Sequence, residues 1–71
     1  MSRIEDWKLI QFEDDIKYYL TGMLYDDERC EDGAILRTSW VKWINFLDEV
    51  AQTKNTLYRL GKPAKEETNE D

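Results

Sequence analysis

The sequence predicts an all-β fold: a small, curved five-stranded meander or SH3-like barrel. Its apolar segments are short, rich in aromatic and β-branched residues, and separated by clusters of Asp, Glu, Gly and Asn that favour turns. In the segment SWVKWINFLDEVAQ, few strong helix formers appear before Asp48. The chain has 71 residues, which is enough for one domain only. We expect strands near residues 5–12, 16–25, 34–45, 50–54 and 56–60.

The first two strands are expected to form a hairpin. The apolar run that begins at Trp7 is too short for a stable helix, and the acidic residues 13–15 supply a turn. In the following segment, IKYYLTGMLY, alternation places one set of side chains on a common face: Ile16, Tyr18, Leu20, Gly22 and Leu24. A glycine in the middle of a strand, Gly22, predicts a bulge, a bend or the close approach of another group.

The third strand is the ambiguous one. Apolar residues from Trp40 to Ala51 recur at helical spacing, and Ser39 would serve as N-cap, so an α+β fold with one helix near 40–52 is an alternative. Composition favours a strand over 34–45, a turn at FLDE and two short strands that meet at Asn55-Thr56. Because residues three apart on a strand face opposite sides, we expect Trp40 in the core and Trp43 on the outer face.

The chain is expected to fold over residues 1–61 and to end in a disordered acidic tail, 62–71. A single cysteine, Cys30, cannot form an internal disulfide, which favours a reducing cytoplasm. No apolar run is long enough to cross a bilayer, and the N-terminus has no signal-peptide pattern. We therefore predict a cytoplasmic protein that does not bind membranes.

Catalytic and metal-binding residue patterns are lacking in the sequence. It has no His, one Cys, and no Gly-rich phosphate loop, so we predict no enzymatic activity, no cofactor and no metal. A calcium loop of the EF-hand type aligned on Gly33 would place Glu28, Cys30 and Ser39 at its first, third and twelfth positions. That arrangement does not supply the required oxygen ligands.

Charge is the main functional clue. The 16 acidic and 10 basic residues give a net charge of −6, which argues against direct binding to nucleic acid. The segment DDERCED alone carries five acids and one Arg. It is interpreted either as a solvated connection or as a docking loop for a basic groove. The candidate partner-binding residues are Asp26, Asp27, Glu28, Glu31 and Asp32, with Trp43 as an apolar anchor and with Asp14 and Asp15.

These acids lie in more than one turn. Asp14 and Asp15 belong to the first hairpin turn, and Asp48 and Glu49 belong to a later one. If those turns and the DDERCED segment lay at one end of the sheet, their carboxylates would imitate a row of phosphates. The protein would then occupy a nucleic-acid-binding surface of its partner.

A longer pattern runs from Leu20 to Gly61 with its intervals intact, and Arg29, Asp32-Gly33 and the segment RTSWV are part of it. It resembles a family of very small, mostly uncharacterised proteins encoded in bacteriophage genomes, and the matching residues are Leu20, Gly22, Arg29, Asp32, Gly33, Arg37, Thr38, Ser39, Val41, Ile44, Val50, Thr53, Asn55, Thr56, Tyr58, Leu60 and Gly61. The resemblance implies a compact β-meander or small barrel and a phage or prophage origin, but no activity. The sequence departs from the pattern at Cys30, where Pro is usual, and in its apolar turn NFLDE.

Together these features predict a non-catalytic phage accessory protein that binds and inhibits a host protein in the bacterial cytoplasm. The expected partner has a basic, nucleic-acid-handling surface, such as a defence nuclease, a CRISPR complex or RNA polymerase. One alternative is a structural module, either a virion component or a homodimer or larger homo-oligomer that uses the Trp43 face. Further alternatives are small-ligand sequestration and single-strand binding through surface aromatics and the cations Arg37, Lys42, Lys54 and Arg59.

Overall fold

The computed structural model describes residues 1–65 and contains five strands and no helix in that part of the chain. The strands are β1 (Arg3–Gln11), β2 (Tyr18–Tyr25), β3 (Ala34–Asn45), β4 (Val50–Thr53) and β5 (Leu57–Leu60). They form a closed barrel in chain order: consecutive strands are antiparallel, and β5 closes on β1 in parallel. The all-β, five-stranded prediction is confirmed. The alternative helix near 40–52 is wrong, because those residues form strand, turn and strand.

One small core fills the barrel. Its buried apolar side chains are Ile4, Leu20, Leu24, Ala51, Tyr58 and Leu60, and the partly buried Trp7, Leu36, Val41 and Ile44 pack against them. Two threonines, Thr38 and Thr53, are also buried, and the hydroxyl of each is hydrogen-bonded to backbone. The polar groups that a small barrel has to bury therefore have partners inside it.

Gly22 lies where β1 bends across β2. The pairing of β1 with β2 is interrupted between Glu5 and Lys8, and Asp6 in this bulge has a φ of 52°. A Cβ atom at Gly22 would stand 2.5 Å from Ile4 Cγ2 and 2.7 Å from the carbonyl oxygen of Glu5. The prediction of a close approach at Gly22 is thus confirmed, and the glycine allows β1 to pass against β2.

The predicted alternation of side chains between the two faces of β2 holds for the residues from Leu20 to Leu24. Leu20 and Leu24 are buried on the core face, as expected, and Gly22 shares that face. Ile16 is 88% exposed and lies before the strand, which begins at Tyr18 rather than at the expected residue 16, and Tyr18 is 49% exposed. The physical reason is local: residues 13–17 form the hairpin connection, in which the Lys17 N–H donates to the carboxylate of Asp15.

Two bulges change which residues of β3 face the core. Tyr19 pairs with Trp40 and Thr21 with Arg37, so β3 has one extra residue there; a second irregularity lies between Val41 and Trp43. Each extra residue interrupts the strict alternation of faces. As a result Val41 packs on the core, whereas Trp40 is only half-buried and lies outside the core cluster. The expected core position of Trp40 is wrong; the outward position of Trp43 is confirmed.

Backbone pairing continues beyond the expected domain end at residue 61. Trp7 donates its N–H to the Lys62 carbonyl (3.3 Å), and its own carbonyl accepts from the Ala64 N–H (2.8 Å). The Trp7 indole N–H donates to the Gly61 carbonyl at 2.9 Å. The Glu5 carboxylate accepts from the Lys62 N–H, which lowers the pKa of Glu5. Residues 61–64 therefore belong to the fold, while 66–71 of the predicted tail lie outside the described residues.

Candidate interaction surfaces

The first surface is the acidic loop, residues 26–32, which joins β2 to β3. The loop is organised around Asp27, whose side chain is only 5% exposed. The Asp27 carboxylate accepts hydrogen bonds from the Arg29 guanidinium (2.6 and 2.9 Å), the Arg29 N–H (2.8 Å) and the Ser2 hydroxyl (2.8 Å). The Arg29 guanidinium, followed by the Arg29 N–H and the Ser2 hydroxyl, holds the pKa of Asp27 well below its usual range. Asp27 therefore organises the loop from inside.

Asp26 and Asp32 close the base of the acidic loop. The Asp26 N–H donates to Asp32 Oδ1 at 3.0 Å, and Asp26 has a φ of 63°, in the left-handed region that Asp tolerates better than most residues. The Asp26 carboxylate lies 3.0 Å from the Arg3 guanidinium and 3.6 Å from that of Arg59. Gly33, with a φ of 90°, completes the turn. Part of the negative charge of the loop is thus neutralised by arginines on β1 and β5.

Glu28 and Glu31 are the acids that remain available. Both are exposed, and within residues 1–65 their carboxylates form no ion pair and no hydrogen bond. Cys30 stands exposed between them. The acidic loop therefore presents two unpaired carboxylates on a backbone that is fixed by internal hydrogen bonds.

The structure divides the predicted binding residues between two ends of the barrel. In an antiparallel meander successive connections lie at opposite ends of the strands. The eight residues of β2, about 25 Å in length, separate the acidic loop from the hairpin turn that contains Asp14 and Asp15. Trp43 lies in the half of β3 that pairs with β4, beyond the start of β2. The expected single row of carboxylates is therefore not formed.

Asp15 has a structural role at its end. Its carboxylate accepts from the Lys17 N–H (2.9 Å) and from the Tyr19 hydroxyl (2.8 Å). These two hydrogen bonds, that of Lys17 first, lower the pKa of Asp15, and the bond to Asp15 raises the pKa of Tyr19. Asp14, in contrast, is exposed. The hairpin turn thus resembles the acidic loop: one acid fixes the turn and a neighbour faces solvent.

The second surface is the aromatic–cationic face, which consists of Phe12, Lys17, Tyr19, Arg37 and Trp40. The rings of Phe12 and Tyr19 pack with centroids 5.4 Å apart, and the Arg37 guanidinium lies over both, 5.2 and 5.8 Å from their centroids. The Lys17 ammonium lies 5.3 Å from the centroid of Trp40. Tyr19 and Trp40 are cross-strand partners. The sequence alone did not identify Phe12, because its neighbours depend on the register of β2 with β3.

The third surface is the apolar tip, which consists of Trp43 near the end of β3 and of Phe46 and Leu47 in the β3–β4 turn. Trp43 is 49% exposed, Phe46 is 62% exposed and Leu47 is 95% exposed. Phe46 stacks on Trp7 with centroids 6.2 Å apart, which supports the turn from below. Exposed Trp and Phe side chains are enriched in protein interfaces. The predicted anchor Trp43 therefore belongs to the apolar tip rather than to the surface around the acidic loop.

Within residues 1–65, no group of three or more His, Cys, Asp or Glu is arranged to hold a metal ion. That part also contains no helix long and apolar enough to cross a membrane. Comparison with protein-family models, with curated proteins and with solved structures found no significant match.

Proposed function

We propose that this chain is a non-catalytic accessory protein whose acidic loop binds a basic surface of a host protein and inhibits it. The observation that carries the proposal is the internal hydrogen bonding of Asp27, which fixes the loop and leaves Glu28 and Glu31 exposed. A loop that is ordered before binding loses less conformational entropy on association. Two exposed carboxylates on such a loop suit pairing with Lys or Arg of a partner.

The proposal gives the predicted contact residues two different roles. In this proposal Glu28 and Glu31 contact the partner, while Asp26, Asp27 and Asp32 hold the loop in shape. Asp14, Asp15 and Trp43 lie toward the other end of the barrel and are not part of the same contact. The negative potential of the whole chain, with a net charge of −6, would steer it toward a basic partner.

The expected partner is a bacterial protein that handles nucleic acid, such as a defence nuclease, a CRISPR complex or RNA polymerase. Such proteins carry basic surfaces that pair with phosphates, and clustered carboxylates can compete for them. The resemblance to small phage-encoded proteins supports a host protein as the target and the bacterial cytoplasm as the location. The proposal concerns occupation of a surface and requires no chemistry from this chain.

A pair of charge-matched variants tests the proposal. Glu28→Gln with Glu31→Gln removes two charges from the acidic loop, and Glu13→Gln with Asp14→Asn removes two at the hairpin turn. Each tagged protein is used for affinity capture from bacterial lysate at low and high salt, with quantitative mass spectrometry of captured proteins. We expect a salt-sensitive partner that the loop variant loses and the turn variant retains. Equal capture by both variants would contradict a specific role for the loop.

A second candidate function, a structural or homo-oligomeric module, is favoured by one observation. In the apolar tip Leu47 is 95% exposed and Trp43 is 49% exposed, and an interface between copies would cover such side chains. Light scattering at micromolar concentration tests this, with Leu47→Glu as the variant. A dimer that Leu47→Glu dissociates would support the structural module, and a monomer throughout would exclude stable self-association.

A further inference from the structure

The aromatic–cationic face carries two positive charges, on Arg37 and Lys17. Among residues 1–65, neither Arg37 nor Lys17 forms an ion pair, although four other pairs are present. Each instead lies over a ring: Arg37 over Phe12 and Tyr19, and Lys17 over Trp40. The cations are therefore held in place by the rings and remain able to accept an anion.

The strand register brings the two cations close together. Tyr19 and Trp40 are paired across β2 and β3, and directly opposite residues have Cβ atoms about 5 Å apart. Tyr19 is also paired with Ile10 on β1. Arg37 lies in the next row, opposite Thr21, which is itself paired with Lys8. Arg37 lies 5.8 Å from the Tyr19 ring and Lys17 lies 5.3 Å from the ring of its partner Trp40, so a single short ligand can reach both cations and the Phe12 ring, which is 43% exposed.

We propose that the aromatic–cationic face binds single-stranded nucleic acid, with phosphates at Arg37 and Lys17 and a base stacked against Phe12. Cations that follow the backbone, combined with aromatic rings that take unpaired bases, are the recurring elements of single-strand binding. A duplex does not fit this arrangement, because its bases are stacked on one another and cannot reach a protein ring. This binding is separate from the proposed function, since it uses different residues at the other end of the barrel.

The negative net charge of the chain predicts no direct nucleic-acid binding, so the inference depends on where the charges lie. The end of β2, where the acidic loop begins, is four residues from the row of Arg37 and six from the row of Trp40, which is about 13–20 Å, and the Debye length at 0.1 M salt is about 10 Å. The repulsion of the loop at the face is therefore largely screened at about 0.1 M salt and above, and only partly screened at about 20 mM, where the Debye length is about 20 Å. The nearest acid is Asp15, whose carboxylate is held within the face by the Tyr19 hydroxyl and the Lys17 N–H. Glu13 and Asp14 lie at the exposed tip of the same hairpin turn, and their removal should strengthen binding. The turn variant Glu13→Gln with Asp14→Asn thus serves here as a gain-of-affinity variant.

Fluorescence anisotropy with a labelled oligothymidylate of about 15 nucleotides tests the proposal. Two phosphate contacts on a single strand predict a log–log salt slope of about −1.4, which is about a 25-fold loss of affinity between 20 and 200 mM salt. We expect Arg37→Gln with Lys17→Gln to weaken binding at low salt at least about tenfold and to flatten the slope. Phe12→Ala should weaken binding at least about fivefold, by loss of stacking.

The control variant removes two exposed cations elsewhere, Arg59→Gln with Lys62→Gln, and is expected to change the affinity less than about twofold. The proposal is overturned if the wild-type chain does not bind the oligonucleotide at low salt, or if this control weakens binding as much as the face variant. Polyglutamate is included as a competitor. If it displaces the oligonucleotide as efficiently as unlabelled oligothymidylate does, the face is a site for acidic protein segments and the assignment to nucleic acid is wrong.

Discussion

Replacement of Gly22 by alanine tests the way β1 packs across β2. The new methyl carbon would stand 2.5 Å from Ile4 Cγ2, 2.7 Å from the Glu5 carbonyl oxygen and 3.2 Å from the Trp7 Cα. Ile4 is completely buried, and the other two atoms belong to the backbone at the β1 bulge. None of the three can move away without displacing β1, so the methyl group forces the two strands apart.

The expected loss of stability for Gly22→Ala is about 2 kcal/mol. Overpacking in a fixed environment costs about 1–3 kcal/mol, and we expect the upper end because two of the obstructing atoms are backbone. Against this, alanine lowers the entropy of the unfolded chain, which stabilises the fold by about 0.4–1 kcal/mol. A domain of this size has a total stability of about 3–10 kcal/mol. The loss should lower the Tm by about 8–16 °C.

Urea denaturation monitored by tryptophan fluorescence measures this loss. We expect a lower midpoint with an unchanged slope against urea, which indicates a change of stability rather than of compactness. Gly61→Ala is the matched control, because the three atoms nearest to its methyl group all belong to the Glu5 carboxylate, which can move aside without displacing a strand, at the loss of its hydrogen bonds to Lys62 and Arg3. It should cost less than Gly22→Ala. The packing argument fails if Gly22→Ala stays within about 0.5 kcal/mol of the wild type.

Three further substitutions test the hydrogen bonds that hold the loops and the C-terminal segment. For Asp27→Asn we expect a lower Tm at neutral pH and a Tm that falls less steeply as the pH is lowered. The folded state depresses the pKa of Asp27, so its stabilisation is complete above the ordinary pKa of 3.8 and is lost as the pH falls further. Thermal melts across that pH range check both points. Trp7→Phe should cost about 1 kcal/mol in a urea titration, because the Gly61 carbonyl loses its donor, with faster amide exchange at Ala64. Thr53→Val keeps the shape but removes both hydroxyl bonds to Thr56; we expect a loss of about 1–3 kcal/mol, and no loss would show that the turn is held by the backbone alone.

The order and type of the elements follow from local sequence. Aromatic and β-branched segments bounded by turn residues, such as Asp32-Gly33, place five strands within two residues of their observed ends. The helical spacing from Trp40 to Ala51 is the one strong competing signal. It is overridden because β3 and β4 pair with each other across the turn at 46–49. Tertiary pairing, which no local pattern shows, decides this case.

The surfaces were less predictable than the strands, for two physical reasons. The bulges in β3 depend on its register with β2 and β4, so the facing of Trp40 could not be obtained from alternation alone. The role of Asp27 depends on the hydroxyl of Ser2, which is distant in sequence, and on the fold of β1 beside the loop. A run of acids in a sequence therefore does not show which carboxylates remain free after folding.

A short chain must bury most of its apolar side chains to fold, yet this one leaves several large rings at its surface. Phe12, Trp43 and Phe46 are each more than 40% exposed, so their full burial is not needed for the barrel to form. The acidic loop and the aromatic–cationic face lie at opposite ends of β2, beyond the distance over which substitutions usually interact. If each end binds its own partner, a loop variant should weaken only the binding of the protein partner, and a face variant should weaken only the binding of nucleic acid. A double variant should then show the same two losses as the separate variants. A coupling between them would show instead that both ends serve one shared partner.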